Sequence, residues 1–290
     1  MVSSSESVTA KILVPGSLAG LLGIHLLALA APFTFSWTGF TLFLVMVIVT
    51  GMLGITLGYH RLLTHQSFET PRGFKILVAA LGCLAMQGGP LRWVATHRLH
   101  HKTADTLEDP HSPMYGFWWA HLVWNLYRHP KLDTIEGLKH LAPDLYRDPI
   151  FRFLDRYFVL LNLGFALLVF TLGCCLKDWK LGLSLIVWGG ALRIVYVWHI
   201  TWLVNSATHL WGYRTYETSD NSRNTWWVAL LTFGEGWHNN HHANPQSARM
   251  GLAWFEIDVT YWTIQLLSKL GVAFNVIERV SAVKLVQKHQ

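Results

Sequence analysis

The sequence predicts an all-α integral membrane protein with four transmembrane helices in two hairpins and a cytoplasmic helical cap. Three observations carry this reading. Four apolar runs, near 12–33, 38–59, 155–176 and 181–204, are long enough for spanning helices, which take about 20 residues each. Only 14% of the 290 residues are charged and 52% are hydrophobic, whereas a soluble domain carries about 25% charged residues. The connections 34–37 and 177–180 are short enough to make each pair of runs a hairpin.

Taken in order, the first run contains Ala28-Leu29-Ala30, which resembles a signal-peptide cleavage site. The weak positive charge ahead of it favours a retained helix. Two hairpins leave the N-terminus, segment 60–154 and segment 205–290 on one side. Residues 59–153 hold eleven Lys and Arg, and the opposite turns hold only Lys177 and Lys180. The positive-inside rule then puts the large segments in the cytoplasm. A fifth apolar run, 74–87, is too short and Gly-rich to span; it reads as a re-entrant, interfacial or core helix. Residues 252–270 alternate Trp254, Phe255, Tyr261, Trp262 and Leu266 with Glu256, Asp258 and Lys269. That pattern fits an amphipathic interfacial helix or an ordinary packed one. With no Gly/Ser tract, Pro-rich stretch or repeat, residues 1–290 are expected to form one domain.

The net charge of +6 is scattered, with no run of five basic residues, which argues against a nucleic-acid partner. It suits anionic lipid or an acidic redox partner. Cys83, Cys174 and Cys175 lie in apolar stretches without a CxxC pair, so a disulfide framework, a zinc ribbon and a built-in iron–sulfur cluster are unsupported.

The chemistry is concentrated in three histidine boxes: His60 with His65; His97, His100 and His101; and His238, His241 and His242. Neutral imidazole suits iron, copper, zinc or nickel. The spacing i, i+3, i+4 in the second and third boxes puts all three imidazoles on one helix face. His60 and His65 would splay by about 140° on a continuous α-helix, so each points at a different metal or the helix bends there. After the fourth run, Asn205 and His209 share a face, adding a ninth imidazole and an amide that could ligate or hold a metal-bound water. Nine nitrogens and an amide are too many for one metal and suit two. All boxes fall on one side of a topology drawn without them. Asp105, Asp109 and Glu235 are candidates to orient the imidazoles, or else helix caps and surface acids. Arg193 falls mid-span, where a buried charge marks a function or a structural partnership with an acid or a carbonyl. His25, His199 and His111 read as structural or supporting.

These residues resemble the membrane-bound fatty-acyl desaturases of the Δ9 class, over roughly 55–245. The match runs through Gly58-Tyr59-His60-Arg61 to His65 and Thr96-His97-Arg98 to His101-Lys102. It continues through Asp109-Pro110-His111, Thr201-Trp202-Leu203-Val204-Asn205-Ser206 to His209, and Gly234-Glu235-Gly236-Trp237-His238-Asn239 to His242. The leading His238, where front-end desaturases carry Gln, is specific to the Δ9-like branch.

The resemblance implies a di-iron centre held by His60, His65, His97, His100, His101, His209, His238, His241 and His242, with Asn205 acting through a water. It implies two Fe2+, O2 as co-substrate, and removal of two hydrogens from a saturated acyl chain. An unactivated methylene has no acidic proton, so oxygen activated at a metal must attack it, with one C–C bond held in a dry slot. Gln87, Trp93, Trp198, Thr201, Trp202 and Trp237 are candidates to shape that slot, or, for the tryptophans, to anchor at the membrane interface.

Two departures from animal acyl-CoA enzymes bear on the carrier and the donor. Ala95-Thr96 stands where those carry a charged Arg-Asp pair, which favours a membrane glycerolipid over acyl-CoA. No HPGG haem motif is present, so electrons are expected from a separate ferredoxin or cytochrome b5, whose acidic surface suits a basic face. The site is then expected on the cytoplasmic face of a plasma or thylakoid membrane in a bacterium, or of endoplasmic reticulum or plastid in a eukaryote. A hydroxylase on the same scaffold is the second enzyme reading. A metal transporter is the third; it would place its ligands at mid-bilayer depth, and the boxes lie at helix ends.

Overall fold

In a computed structural model the chain folds into helices, and residues 11–278 and 285–286 are described. The N-terminal ten residues, expected on the cap side, lie outside the described residues. We number the helices α1 Pro15–Ala28, α2 Trp37–Thr64, α3 Arg72–Leu84, α4 Pro90–Thr103, α5 Phe117–His121, α6 Ile135–Leu141 and α7 Pro143–Arg147. They continue as α8 Pro149–Leu176, α9 Trp179–His209, α10 Trp226–Leu231, α11 His238–Ala243 and α12 Val259–Lys269. Among the described residues, extended pairing is confined to isolated bridges.

Three of the four apolar runs become helices long and apolar enough to cross a membrane: α2, α8 and α9. The run 12–33 is shorter than expected as a continuous helix. α1 has 14 residues, about 21 Å at 1.5 Å per residue, followed by a 3₁₀ turn at Ala31–Thr34. Pro32 explains the break, because it removes a backbone donor and disfavours helix before it. The hairpin ends are set by caps. Ser36 accepts from Gly39 N at 2.9 Å and bonds Ser184 of α9 at 2.7 Å. Asp148 caps α8 through Ile150 N at 3.0 Å, and Asp178 caps α9 through Leu181 N at 2.9 Å.

Residues 74–87 fall in α3, which lies against α2. A Cβ on Gly54 would meet Gly82 N at 2.6 Å, so this crossing depends on glycine. Asn162 of α8 donates to Cys83 O at 2.9 Å, joining α8 to the same pair. The shared core is built from Leu57, Tyr59, Leu62, Val78, Val94, Leu99 and Val197, all buried. By contrast α8 turns Leu160, Leu163, Leu167, Leu168 and Leu172 outward, an apolar face suited to lipid. Arg193 is fully buried and finds carbonyls rather than an acid: Gly189 O at 3.0 Å and Leu84 O. Its guanidinium also sits 5.7 Å from the centre of the Phe165 ring.

The helix expected over 252–270 begins only at Val259. Asp258 accepts from Tyr261 N at 2.9 Å and caps it there, while Glu256 takes the amides of Leu252 and Ala253 at 2.6 and 2.8 Å and holds the preceding segment as a turn. Trp254 is 94% exposed, and Trp262 and Leu266 are also exposed.

Candidate metal centre

The first box owes its geometry to a change of winding. From Val47 to Thr64, α2 is π-helical, so bonds run from i to i+5. His65 N donates to His60 O at 3.1 Å, and Thr64 Oγ1 donates to Tyr59 O at 2.8 Å. A five-residue step therefore closes about one turn, and the two imidazoles lie on the same side with ring centres 4.7 Å apart. The splay expected of an α-helix does not arise.

α4 carries the second box on a regular turn, and α11 carries the third on a six-residue helix. The entry to α11 is tightly constrained. Gly234 has φ +120° and a Cβ there would lie 2.5 Å from Asp258 Oδ1, so only glycine fits. Asn239 and Asn240 point away from the imidazoles. Asn239 Oδ1 accepts Thr215 N and Tyr216 N at 2.7 and 2.8 Å. Asn240 donates to Met250 O and Glu256, both at 2.9 Å. The box thus stitches two loops together while presenting histidines on its other face.

The nine imidazoles divide into two clusters. His60, His65, His97, His101 and His241 form one, and His100, His209, His238 and His242 the other, each with ligand atoms within 4.8 Å of one another. In the first, the Nε2 separations are 3.1 Å for His60–His241, His65–His97 and His97–His101, and 2.9 Å for His101–His241. In the second they are 3.3 Å for His100–His242, 3.1 Å for His209–His238 and 3.0 Å for His238–His242. The rings of His101 and His242 stack at 4.6 Å where the clusters meet.

Carboxylates behind the rings decide which nitrogens are free. Asp109 Oδ2 lies 2.9 Å from His100 Nδ1, Asp105 Oδ1 3.1 Å from His209 Nδ1, and Asp220 Oδ2 2.8 Å from His242 Nδ1. Glu235 lies against His60 Nδ1. An ionised carboxylate only accepts, so these imidazoles carry the proton on Nδ1 and their Nε2 atoms are bare. His100 and His242 then face each other with two lone pairs, an arrangement that repels unless a cation is shared between them. Nitrogens about 3 Å apart are also what bonds of about 2.1 Å to one metal produce at right angles. Donor chemistry and geometry therefore both fit two first-row metal ions.

Charge states agree with that fit except at His100, which burial pushes down but Asp109 raises above the ordinary histidine range, so that a proton or a metal ion can meet the His100–His242 contact. Burial, and then the surrounding imidazoles, push His65, His97, His101, His238 and His241 well below the ordinary histidine range. Burial also pulls His242 down to about 4, against its bond to Asp220. For Asp105, Asp109, Asp220 and Glu235 burial acts upward, but the imidazoles, with Arg61 beside Glu235, hold all four below the usual carboxylate range. Near neutral pH these five imidazoles and His242 are neutral and the four acids ionised.

Three participants escaped the sequence reading. Arg61 is buried and donates to Glu235 at 2.9 and 3.1 Å, to Asp258 at 3.0 Å and to Ala248 O at 2.6 Å. Asp258 also accepts Met250 N at 2.8 Å. Asp220 sits in a polar loop held by Thr218 and by Ser222 N at 2.9 Å. Arg61 lies inside a box, and that position beside His60 was the one signal the sequence offered. Asp220 belongs to no spacing pattern, and Asp258 entered only as part of the polar face of the helix expected over 252–270.

A cavity of about 420 Å³ reaches the centre between α1, α4, α8 and α9, within the size of small-molecule sites. Gln87, Trp93, Trp198, Thr201 and Trp202 line it, as does Asn205. A narrower pocket beside His60, His97 and His238 shares Trp93, Thr201 and Asn205, and Gly51 lies in its wall. Gln87 ties the walls together: it donates to Thr201 Oγ1 at 2.9 Å and accepts Trp93 Nε1–H at 3.2 Å. Trp198 Nε1 donates to Met86 O at 3.0 Å. Trp237 lies elsewhere: it packs with Ala229 and Met250, donates to Ile257 O at 2.8 Å and lines neither cavity. Outside the clusters, His25, His199 and His121 form a chain with contacts of 3.1 and 3.0 Å that ends on Ser206 and ties α1 and α5 to α9. The His111 ring lies 4.3 Å from that of His100, tilted by 36°.

A family model described as fatty acid desaturase matches residues 35–273. The chain is 49% identical over 257 residues to the sn-1 stearoyl-lipid 9-desaturase of Anabaena variabilis, covering 88% of this chain and 90% of that protein. It is 48% identical over 254 residues to the sn-2 palmitoyl-lipid 9-desaturase of Nostoc sp. (strain 36), covering 87% and 86%. The Acyl-CoA 5-desaturase AL21 of Anemone leveillei is 46% identical over 254 residues, covering 88% and 76%.

Proposed function

Because the chain belongs to the fatty acid desaturase family, we propose that it introduces a cis double bond at Δ9 into a saturated acyl chain carried on a membrane glycerolipid. One observation carries the reading: two convergent imidazole clusters lie beside a mostly apolar cavity between α1, α4, α8 and α9 that His97 lines, with a narrower pocket lined by His60, His97 and His238 next to it. The relatives named as lipid 9-desaturases support both the position and the carrier.

The reaction removes one hydrogen from each of two adjacent methylenes. With O2, two electrons and two protons it yields the olefin and two waters. The site residues are the nine histidines, with Asn205 acting through a water. When bound, two iron ions supply the O2 activation that acid–base groups cannot. The chain's own residues do the rest. Asp105, Asp109, Asp220 and Glu235 keep the imidazoles in the Nδ1–H tautomer and aim their lone pairs inward. Gln87, Thr201 and Trp93 set the contour of the slot beside His97, and Trp198 and Trp202 wall it. Apolar walls keep water from the reacting carbons, and a misplacement of about 1 Å there can cost 10²-fold.

In this reading residues 1–290 form one domain. α1 completes a fourth span with its 3₁₀ turn, and the boxes face the cytoplasm with the basic segments. Those segments receive a separate electron donor, a ferredoxin or cytochrome b5. Charge asymmetry supports the orientation: eleven Lys and Arg in 59–153 against Lys177 and Lys180 at the opposite turns.

Expression in a host lacking monounsaturated fatty acids tests the function. Gas chromatography of each lipid class should show a new Δ9 olefin in glycerolipid with no lag behind the acyl-CoA pool. A hydroxy-acyl product without olefin would sink the desaturase reading, and an olefin appearing first in acyl-CoA would overturn the carrier.

A further inference from the structure

The two imidazole clusters are backed very unequally. Three of the four histidines in the cluster His100, His209, His238 and His242 donate Nδ1–H to a carboxylate, at 2.9 Å for Asp109, 3.2 Å for Asp105 and 2.8 Å for Asp220. The other bonds these acids accept come from neutral groups: the amides of Asp105 and His111 for Asp109, Asn221 N for Asp105, and Thr218 and Ser222 for Asp220. Among the described residues, no Lys or Arg is paired with them.

The cluster His60, His65, His97, His101 and His241 has one carboxylate behind it, Glu235 on His60. That acid is shared with Arg61 at 2.9 Å. The guanidinium of Arg98, which donates to Thr64 O at 3.3 Å beside His65, is neutralised by Asp144 at 2.7 and 2.9 Å.

A carboxylate accepting from a ligating imidazole raises the basicity of the opposite nitrogen and adds negative charge near the metal. Both effects favour the higher metal charge, and burial keeps them strong. Five imidazoles backed by a single carboxylate, itself paired with a guanidinium, favour the lower charge. Resting on the two-metal reading above, we propose that the clusters are redox-inequivalent. The four-imidazole cluster with Asp105, Asp109 and Asp220 holds the ferric ion longer, and the five-imidazole cluster is reduced first.

The balance is one electron per step: a ferric ion in the five-imidazole cluster becomes ferrous, then the ferric ion in the four-imidazole cluster does the same. Dithionite is the reductant, and the carboxylates remain ionised throughout. Asp220 is a positioning residue in this scheme, acting through His242.

The test is stepwise anaerobic reduction of the full chain loaded with 57Fe, with Mössbauer and electron paramagnetic resonance spectra at each potential. Wild type should accept electrons in two one-electron steps, with a localised mixed-valent signal between them. In Asp220→Asn the second step should become about tenfold more favourable, about 59 mV for one electron, with the first step unmoved. Glu235→Gln should move the first step instead, Asp105→Asn should repeat the Asp220→Asn result, and Asp220→Glu should restore the wild-type separation. Two irons that reduce in a single step, or that shift equally in Asp220→Asn, would overturn the inequivalence and leave the two-metal reading intact. Fewer than two irons per wild-type chain would overturn both.

Discussion

Gln87 donates to Thr201 across 2.9 Å, joining the turn before α4 to the wall of α9 at the depth where the two cavities meet. That turn has Met86 at φ 59° and Gly88 at φ 99°, left-handed conformations held in place by Trp198 on Met86 O and Trp93 on Gln87. The bond therefore sets the shape of the slot beside His97, not merely the stability of the turn.

Thr201→Val keeps the volume and removes the acceptor. We expect catalytic turnover to fall roughly 10–10²-fold, in line with the cost of sub-ångström misplacement, with iron content unchanged. Product analysis should show some double bonds displaced from Δ9. Unaltered turnover and a single positional isomer would show that the bond does not define the slot.

His97 Nε2 lies 3.1 Å from both His65 Nε2 and His101 Nε2 in the five-imidazole cluster. His97→Ala should lower bound iron from about two per chain to about one, because the four-imidazole cluster keeps all its donors. Metal analysis of the purified protein checks this, together with loss of olefin formation. Full retention of iron would remove His97 from the ligand set.

Arg61→Met would leave Glu235 and Asp258 as buried acids without their cation. Removing one partner of a buried ion pair costs about 3–5 kcal/mol. The unfolding midpoint in detergent should drop accordingly, even without metal. A change under about 1 kcal/mol would mean that backbone donors alone satisfy the two acids.

The pH dependence of the metal-free protein follows from its depressed histidines. Burial, then His199, lowers His121 to about 4, and burial lowers His111 to about 3 against the pull of Asp109. Between the unfolded histidine pKa of about 6.5 and those values, the unfolded chain binds protons that the folded chain refuses. Stability is therefore full above about pH 6.5 and falls as pH drops toward 4. Asp105, Asp109, Asp220 and Glu235, held low when folded, add a further loss below their unfolded range near 4. Thermal scans from pH 8 to 4 should show the decline starting near 6.5, and His121→Asn should flatten its upper part. A midpoint constant over that range would contradict the neutral burial of these rings.

Much of the site was legible before any fold was known. Four-residue spacing on a helix is fixed by its pitch, so His97 with His101 and His238 with His242 were bound to share a face. Asp105, Asp109 and Glu235 lie close in sequence to the boxes and back the rings of His209, His100 and His60. Other features were not legible. The π winding of α2 removed the splay expected of His60 and His65 on an α-helix, and residue spacing alone does not distinguish the two windings. Pro32 shortened the first run, and Asp258 delayed the last helix. Trp237 followed its box in sequence but packs behind it.

From sequence alone came the helical membrane class, the nine imidazoles and the chemistry they suit, because composition and short-range periodicity are local properties of the chain. Tertiary structure alone decided how the nine divide into five and four, that Asp220 stands behind His242, and that Arg61 neutralises Glu235 at one cluster only. Those partners lie 22 residues apart for Asp220 and His242 and 174 apart for Arg61 and Glu235, distances over which no helical period operates and only packing determines what meets.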